Sequence, residues 1–242
     1  MAHKNGTTNF FLFGCMLLAA FALLPLVAAL PSSPTEVDIG PSTRREITPV
    51  VTPVDAVAGN VTQIDLYAIA VTQSWQGYYG NVTGSFILAN ADNETFYQWA
   101  NDTSVQGEVF ASRNSSIDWD TINCSTPEII TEEQLALGQS VTDSDSVNVT
   151  FNETNHPSFI IGSRNMTGCP STNTWSNGTQ SASAYYQVFL ADDANKTVYS
   201  TIISSGSLGF DNQYHDFQLM VGENEHPGFT GPTSYYFFVE LG

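Results

Sequence analysis

The sequence predicts an all-β protein: an antiparallel β-sandwich, Ig-like or jelly-roll-like, with one short helix. Three observations carry this expectation. From Val61 onward the chain is a series of short runs rich in Val, Ile, Thr, Tyr and Phe, residues that suit a pleated, half-buried surface. Clusters of Asn, Gly, Asp and Ser divide the runs. Only one segment carries helix signals, so strand and helix do not alternate as in a parallel βαβ sheet.

The elements follow in chain order. Lys4 precedes the apolar stretch FFLFGCMLLAAFALLPLVAAL, from Phe10 to Leu30, which closes on the small residues Ala28 and Ala29. The leading charge, the apolar middle and the V-A-A exit describe a secretory signal. Its 21 residues are also about what a helix needs to cross a bilayer, so residues 1–30 read as a signal peptide or an N-terminal membrane anchor. Pro25 and the small residues after it favour cleavage, and in both cases the chain beyond Leu30 is exported. Residues 31–59 hold five of the 11 prolines and no aromatic. They form a Pro/Ser/Thr-rich linker that buries no core, a stalk on the order of 90 Å long if fully extended.

Residues 60–242 form one β domain. Strands are expected at 61–72, 84–89, 94–99, 108–112, 147–151, 158–161, 185–190, 197–203, 216–221 and 234–241. The helix is expected where Thr131 and Gln134 make a capping box, with Glu132 and Glu133 in its first turn and Gly138 as its stop. An E-x-x-H-P-x-F echo, at Glu153 to Phe159 and Glu223 to Phe229, follows two of the strands without extending into the flanking sequence.

Export is also written into the asparagines. Acceptor motifs for N-glycosylation stand at Asn60, Asn81, Asn93, Asn101, Asn114, Asn123, Asn148, Asn152, Asn165, Asn177 and Asn195, and once upstream at Asn5. Chance placement would give about four such motifs among the asparagines of this chain. Cys15 lies in the apolar segment, which leaves Cys124 and Cys169 to form one disulfide in an oxidising compartment. Cys124 is the middle residue of the Asn123 motif, so disulfide closure and glycan transfer compete there and Asn123 is the weakest acceptor. Beyond Leu30, 24 acidic residues face five basic ones, a net of −19. Such a surface repels nucleic acid and favours solubility and divalent cations.

The segments QGYYGNVTG, GEVFASRNSSIDWDTINC, FNETNHPSFIIG, HDFQLMV and YYFFVEL, spread over residues 61 to 242, resemble those of exported cell-surface proteins of archaea that have no assigned activity. The resemblance implies an archaeal envelope setting. It brings no catalytic residue with it.

Four chemistries can be set against the sequence. His156, His215 and His226 with Glu153, Asp216, Glu223 and Glu225 supply metal-ligand types, with His156 and His226 the foremost candidates. No H-E-x-x-H helix organises them, and a proline after His156 and His226 suits a turn. Calcium is possible at the oxygen clusters Asp143/Asp145, Asp118/Asp120, Asp192/Asp193 and Asp92/Glu94, none of which has EF-hand spacing. No nucleophile elbow or phosphate loop points to an enzyme, and no other cofactor is implied. The aromatics are more telling. Tyr79, Trp99 and Trp175 each stand two residues before an acceptor asparagine, where a ring could carry the apolar face of the first sugar. Trp75, Tyr78 and Trp119 are candidates for an exposed ligand platform.

The expectation is therefore a non-catalytic, N-glycosylated surface protein with a structural or adhesive role. Its partners would be copies of itself or other envelope proteins, with membrane contact through the N-terminal segment if that is retained. A carbohydrate-binding or adhesin domain is the alternative, and a metal-dependent hydrolase the third reading.

Overall fold

The structure is a computed structural model that describes residues 30–99, 105–180, 184–224 and 231–242. Most of the apolar segment, Asn101 and His226 lie outside the described residues. In the first half the strands are β1 (Trp75–Gly80), β2 (Ile87–Ala89), β3 (Thr95–Gln98), β4 (Gly107–Ser112), β5 (Asn123–Cys124), β6 (Phe159–Ile161), β7 (Arg164–Met166) and β8 (Ser171–Asn173). They continue with β9 (Trp175–Ser176), β10 (Thr179–Gln180), β11 (Tyr186–Ala191), β12 (Thr197–Ile202), β13 (Ser207–Leu208), β14 (Tyr214–His215), β15 (Phe217–Gly222) and β16 (Tyr236–Leu241). Among the described residues two helices, α1 (Pro127–Ala136) and α2 (Val147–Thr150), accompany them.

The fold is all-β and its strand pairings are antiparallel. A central sheet runs β16-β4-β12-β11-β5, and β8 shares the β11 edge with β5. Strands β4, β11 and β12 are buried on both faces, so apolar residues stand next to one another in them, as in Val109-Phe110-Ala111, Val188-Phe189-Leu190 and Val198-Tyr199, instead of alternating with exposed ones. One face carries Phe110, Val188, Leu190, Val198 and Phe238 and is covered by Trp119, Ile122 and the β6–β7 hairpin. The opposite face carries Val109, Ala111, Phe189 and Tyr199. There the β1–β15 ribbon lays Leu219 and Val221 against the sheet, and Ile130, Leu137, Val147 and Phe151 close it from α1 and α2. Each fully buried Phe or Leu of this kind contributes on the order of 1.5–3 kcal/mol through removal from water.

Cys124 and Cys169 are joined by a disulfide, as expected, which clamps β5 to the connection between β7 and β8. Among the described residues no helix is long and apolar enough to cross a membrane.

Several elements differ from expectation. Residues 61–72 join no strand ladder among the described residues, and up to Ala70 they stand in solvent, with Leu66 87% and Tyr67 95% exposed. Residues 147–151 are not a strand. Val147 and Phe151 are four apart, so a helical turn buries both while leaving Val149 exposed. Helix α1 starts earlier than the capping box implied, because Thr126 accepts the Ile129 amide and Pro127 stands at its first position. Thr131 sits inside it and turns its hydroxyl back to the Pro127 carbonyl at 2.8 Å. Gly138 does end it, at φ +67°. Strand β1 lies outside the expected strands, because Gly77 and Gly80 interrupt its apolar pattern. Opposite the central sheet stands a two-stranded ribbon with helices, not a second full sheet.

Candidate functional site

Strand β1 carries the first aromatic of QGYYG's neighbourhood, Trp75, to the rim of an open cleft of about 470 Å³. Thr72, Asp145, Asn152, Glu153 and Met220 line it with that indole. The ring is positioned from both sides. Inward it meets Phe151 at 6.1 Å and, edge-on, Tyr199 at 6.3 Å. Outward its indole N–H donates to the Asp145 carbonyl, while the Asp145 carboxylate accepts the Thr72 hydroxyl. Helix α2 sets Asn152 and Glu153 at the mouth, because the chain leaves its last turn at Phe151 and Glu153 then bridges to Ser171 of β8. The lining joins an aromatic edge to carboxylates and hydroxyls, a composition suited to a sugar. Asn152 is itself an exposed acceptor asparagine.

The three aromatics of β1 thus take different roles. Trp75 is half-buried between core and cleft. Tyr78 stacks edge-on against Phe237 at 5.1 Å, and its phenol is raised by burial and by the charge of Glu223. Tyr79 is 54% exposed but already rests on Phe210 and His215, at 5.0 and 4.7 Å. Trp119 cannot be part of a platform: it is buried between Phe110 and Phe238. Trp99 is exposed and leans on Tyr97 at 5.0 Å.

Of the ring and acceptor pairs, Trp175 with Asn177 has the clearest geometry. Asn177 and Gly178 form the two-residue tip of the β9–β10 hairpin, with φ +48° and +68°, the signature of a type I′ turn. Trp175 is exposed two residues before the tip. Among the other described acceptors, Asn60, Asn81, Asn93, Asn123, Asn148, Asn152, Asn165 and Asn195 are exposed and Asn114 is half-buried.

The histidines and acids serve the fold. His156 is not available as a ligand, because Nε2 accepts the Cys169 amide at 3.0 Å and Nδ1 faces the Pro157 carbonyl at 2.8 Å. It therefore seats the disulfide. His215 bonds Asp211 at 2.9 Å. Asp192 accepts the amides of Ala194 and Lys196 in its own turn and that of Asp118 from a distant loop, and Asp143 accepts that of Ser140, so these acids hold loop backbone. Among the described residues no group of three His, Cys, Asp or Glu side chains is arranged to hold a metal.

Sequence reasoning missed one buried polar constellation. Glu133 of α1, only 2% exposed, receives Arg113 together with the hydroxyls of Thr197 and Tyr199. The expected first-turn glutamate is a buried anchor, and only the packing of α1 on the sheet reveals it. Compared with protein-family models, curated proteins and solved structures, the chain matches none of them.

Proposed function

We propose that this chain is an exported, N-glycosylated, non-catalytic surface protein that assembles with copies of itself into a structural or adhesive layer or filament. The observation that carries the reading is apolar strand surface left uncovered in the single chain. Residues 61–72 have strand composition and, among the described residues, no strand paired with them, and the β2–β3 hairpin exposes Phe86, Ile87, Leu88, Phe96 and Tyr97 together. An isolated two-stranded hairpin is marginal in water, and an uncovered strand edge recruits another. The occupant is residues 61–72 of a second copy, added beside the hairpin of the first. This contact is heterologous, so repetition builds a ring or an open filament. In this reading the central sheet and the β1–β15 ribbon form an unequal sandwich.

The outward placement of the acceptor asparagines supports glycosylation, and the disulfide agrees with an oxidising compartment. The resemblance to archaeal surface proteins suggests the envelope. The test is size exclusion with light scattering and negative-stain imaging of the protein and of a Leu66→Lys, Tyr67→Lys variant. Polymers in the first and monomers in the second are expected; a monomeric parent protein refutes assembly.

The Trp75 cleft favours a second reading, carbohydrate binding. Glycan-array binding that is lost in Asp145→Asn and Glu153→Gln but kept in Trp175→Ala would select it.

A further inference from the structure

Strands β4 and β16 place Glu108 and Glu240 directly opposite one another, and Ile202 of β12 completes the row. The alternation of these strands puts both acids on the Phe110 and Phe238 face. Both are more than nine-tenths buried, 7% and 6% exposed. One oxygen of Glu240 accepts the Gly162 amide at 3.3 Å, and its other oxygen, Oε2, is buried with no hydrogen-bond partner. Among the described residues neither acid is in an ion pair. Arg113 goes to Glu133, Lys196 to Asp192, and Arg164, on the adjoining β6–β7 hairpin, to the Asp120 carbonyl. Arg44 and Arg45 are exposed on the linker. Desolvation, with the charge of Glu240 added, raises Glu108 to about 8, and desolvation raises Glu240 to about 7 against the opposing Gly162 amide. Two buried acids side by side require shared protons or a cation.

The chain just beyond the apolar segment passes this pair. Ser32 and Val239 exchange both backbone bonds, at 3.0 and 2.9 Å. In that antiparallel register Pro31, which is buried, comes opposite Glu240. Leu30 leans on the turn that holds Glu240: a Cβ added at Gly162 would stand 2.5 Å from its Cδ2. Hydrolysis between Ala29 and Leu30, at the V-A-A exit, adds water across the amide. It leaves a carboxylate on Ala29 and an amine on Leu30, whose Cα is one step of about 3.8 Å from that of Pro31.

We propose that Glu108 and Glu240 form a binding site for a primary ammonium, and that its ligand is the α-amino group of Leu30 released by signal cleavage. The inference rests on the export reading above. Before cleavage the pair keeps protons. After cleavage the ammonium supplies the missing charge and a donor for Glu240 Oε2, so processing completes the fold at the edge of the central sheet.

The test uses protein that begins at Leu30, released from a fusion without extra residues, beside the same chain with its amine acetylated. An ordinary α-amino group titrates at about 7.7–8.0. The Leu30 amine, followed by NMR, is expected at least about one unit higher, and back at the ordinary value in Glu108→Gln, Glu240→Gln. In the acetylated form the two acids bind more protons folded than unfolded. Their stabilising effect is therefore full below the unfolded carboxyl value and lost as pH rises through about 7 to 8. The melting temperature of that form should fall over this range, and the free amine should remove the fall. An amine at its ordinary value, or matching pH profiles for free and acetylated protein, overturns the site; this comparison stands even if the double variant does not fold. N-terminal sequencing of the exported protein separates the two readings. A first residue other than Leu30 overturns cleavage as the source of the ligand, whatever the titration shows.

Discussion

Replacing Arg113 by Met tests the buried polar centre of the domain. Glu133 accepts Arg113 Nε at 3.2 Å, the Thr197 hydroxyl at 2.8 Å and the Tyr199 phenol at 3.1 Å, and its second oxygen also meets the Arg113 Nη2. Burial and the neighbouring carboxylate hold the Tyr199 phenol well above its ordinary value, so it remains a donor. Methionine keeps most of the arginine stem and removes the only cation bonded to this carboxylate among the described residues. Breaking a buried pair from one side costs about 3–5 kcal/mol. The Arg113 side chain is 30% exposed, so water enters in its place and the expected loss is about 2–3 kcal/mol. For a domain of this size that lowers the melting temperature by roughly 4–12 °C. Urea unfolding with the disulfide intact measures it, and an unchanged slope shows that the loss lies in stability alone. Adding Glu133→Gln should recover part of the loss, because the buried charge is then gone. A loss below about 0.5 kcal/mol for Arg113→Met, or no coupling between the two changes, would refute the reasoning.

Other predictions follow from single contacts. The disulfide closes a sequence separation of 45 residues, so Cys169→Ser should cost about 4 kcal/mol in the chain-entropy estimate, read from denaturant midpoints. Gly222→Ala should cost about 1–3 kcal/mol by overpacking, since the new methyl would collide with Leu137 Cδ1 and stand 2.9 Å from the Tyr199 hydroxyl. Trp175→Leu should lower the melting temperature of glycosylated protein and leave the deglycosylated form almost unchanged; equal losses in both would separate the ring from the Asn177 glycan. Phe110→Ala should remove about 3–5 kcal/mol, as expected of a fully buried ring under Trp119.

Composition and pattern alone determined the class of this protein. Strands β4, β11, β12, β15 and β16 lie where their apolar runs predict them, because Val, Ile, Phe and Tyr at strand length need no distant information to favour extended chain. The single disulfide was legible from arithmetic, since two cysteines beyond the apolar segment have one possible pairing. Periodicity could not decide what tertiary contact decides. Val147 and Phe151 fit a strand or a helical turn equally, and the pocket beneath the β1–β15 ribbon selected the turn. Trp75 and Trp119 are alike in sequence, yet one edges a cleft and the other fills the core, because burial depends on what the chain brings over each ring. The acids show the same limit. Glu133 meets a guanidinium, whereas Glu108 and Glu240 meet each other, since strand register alone sets which side chains become neighbours across a sheet.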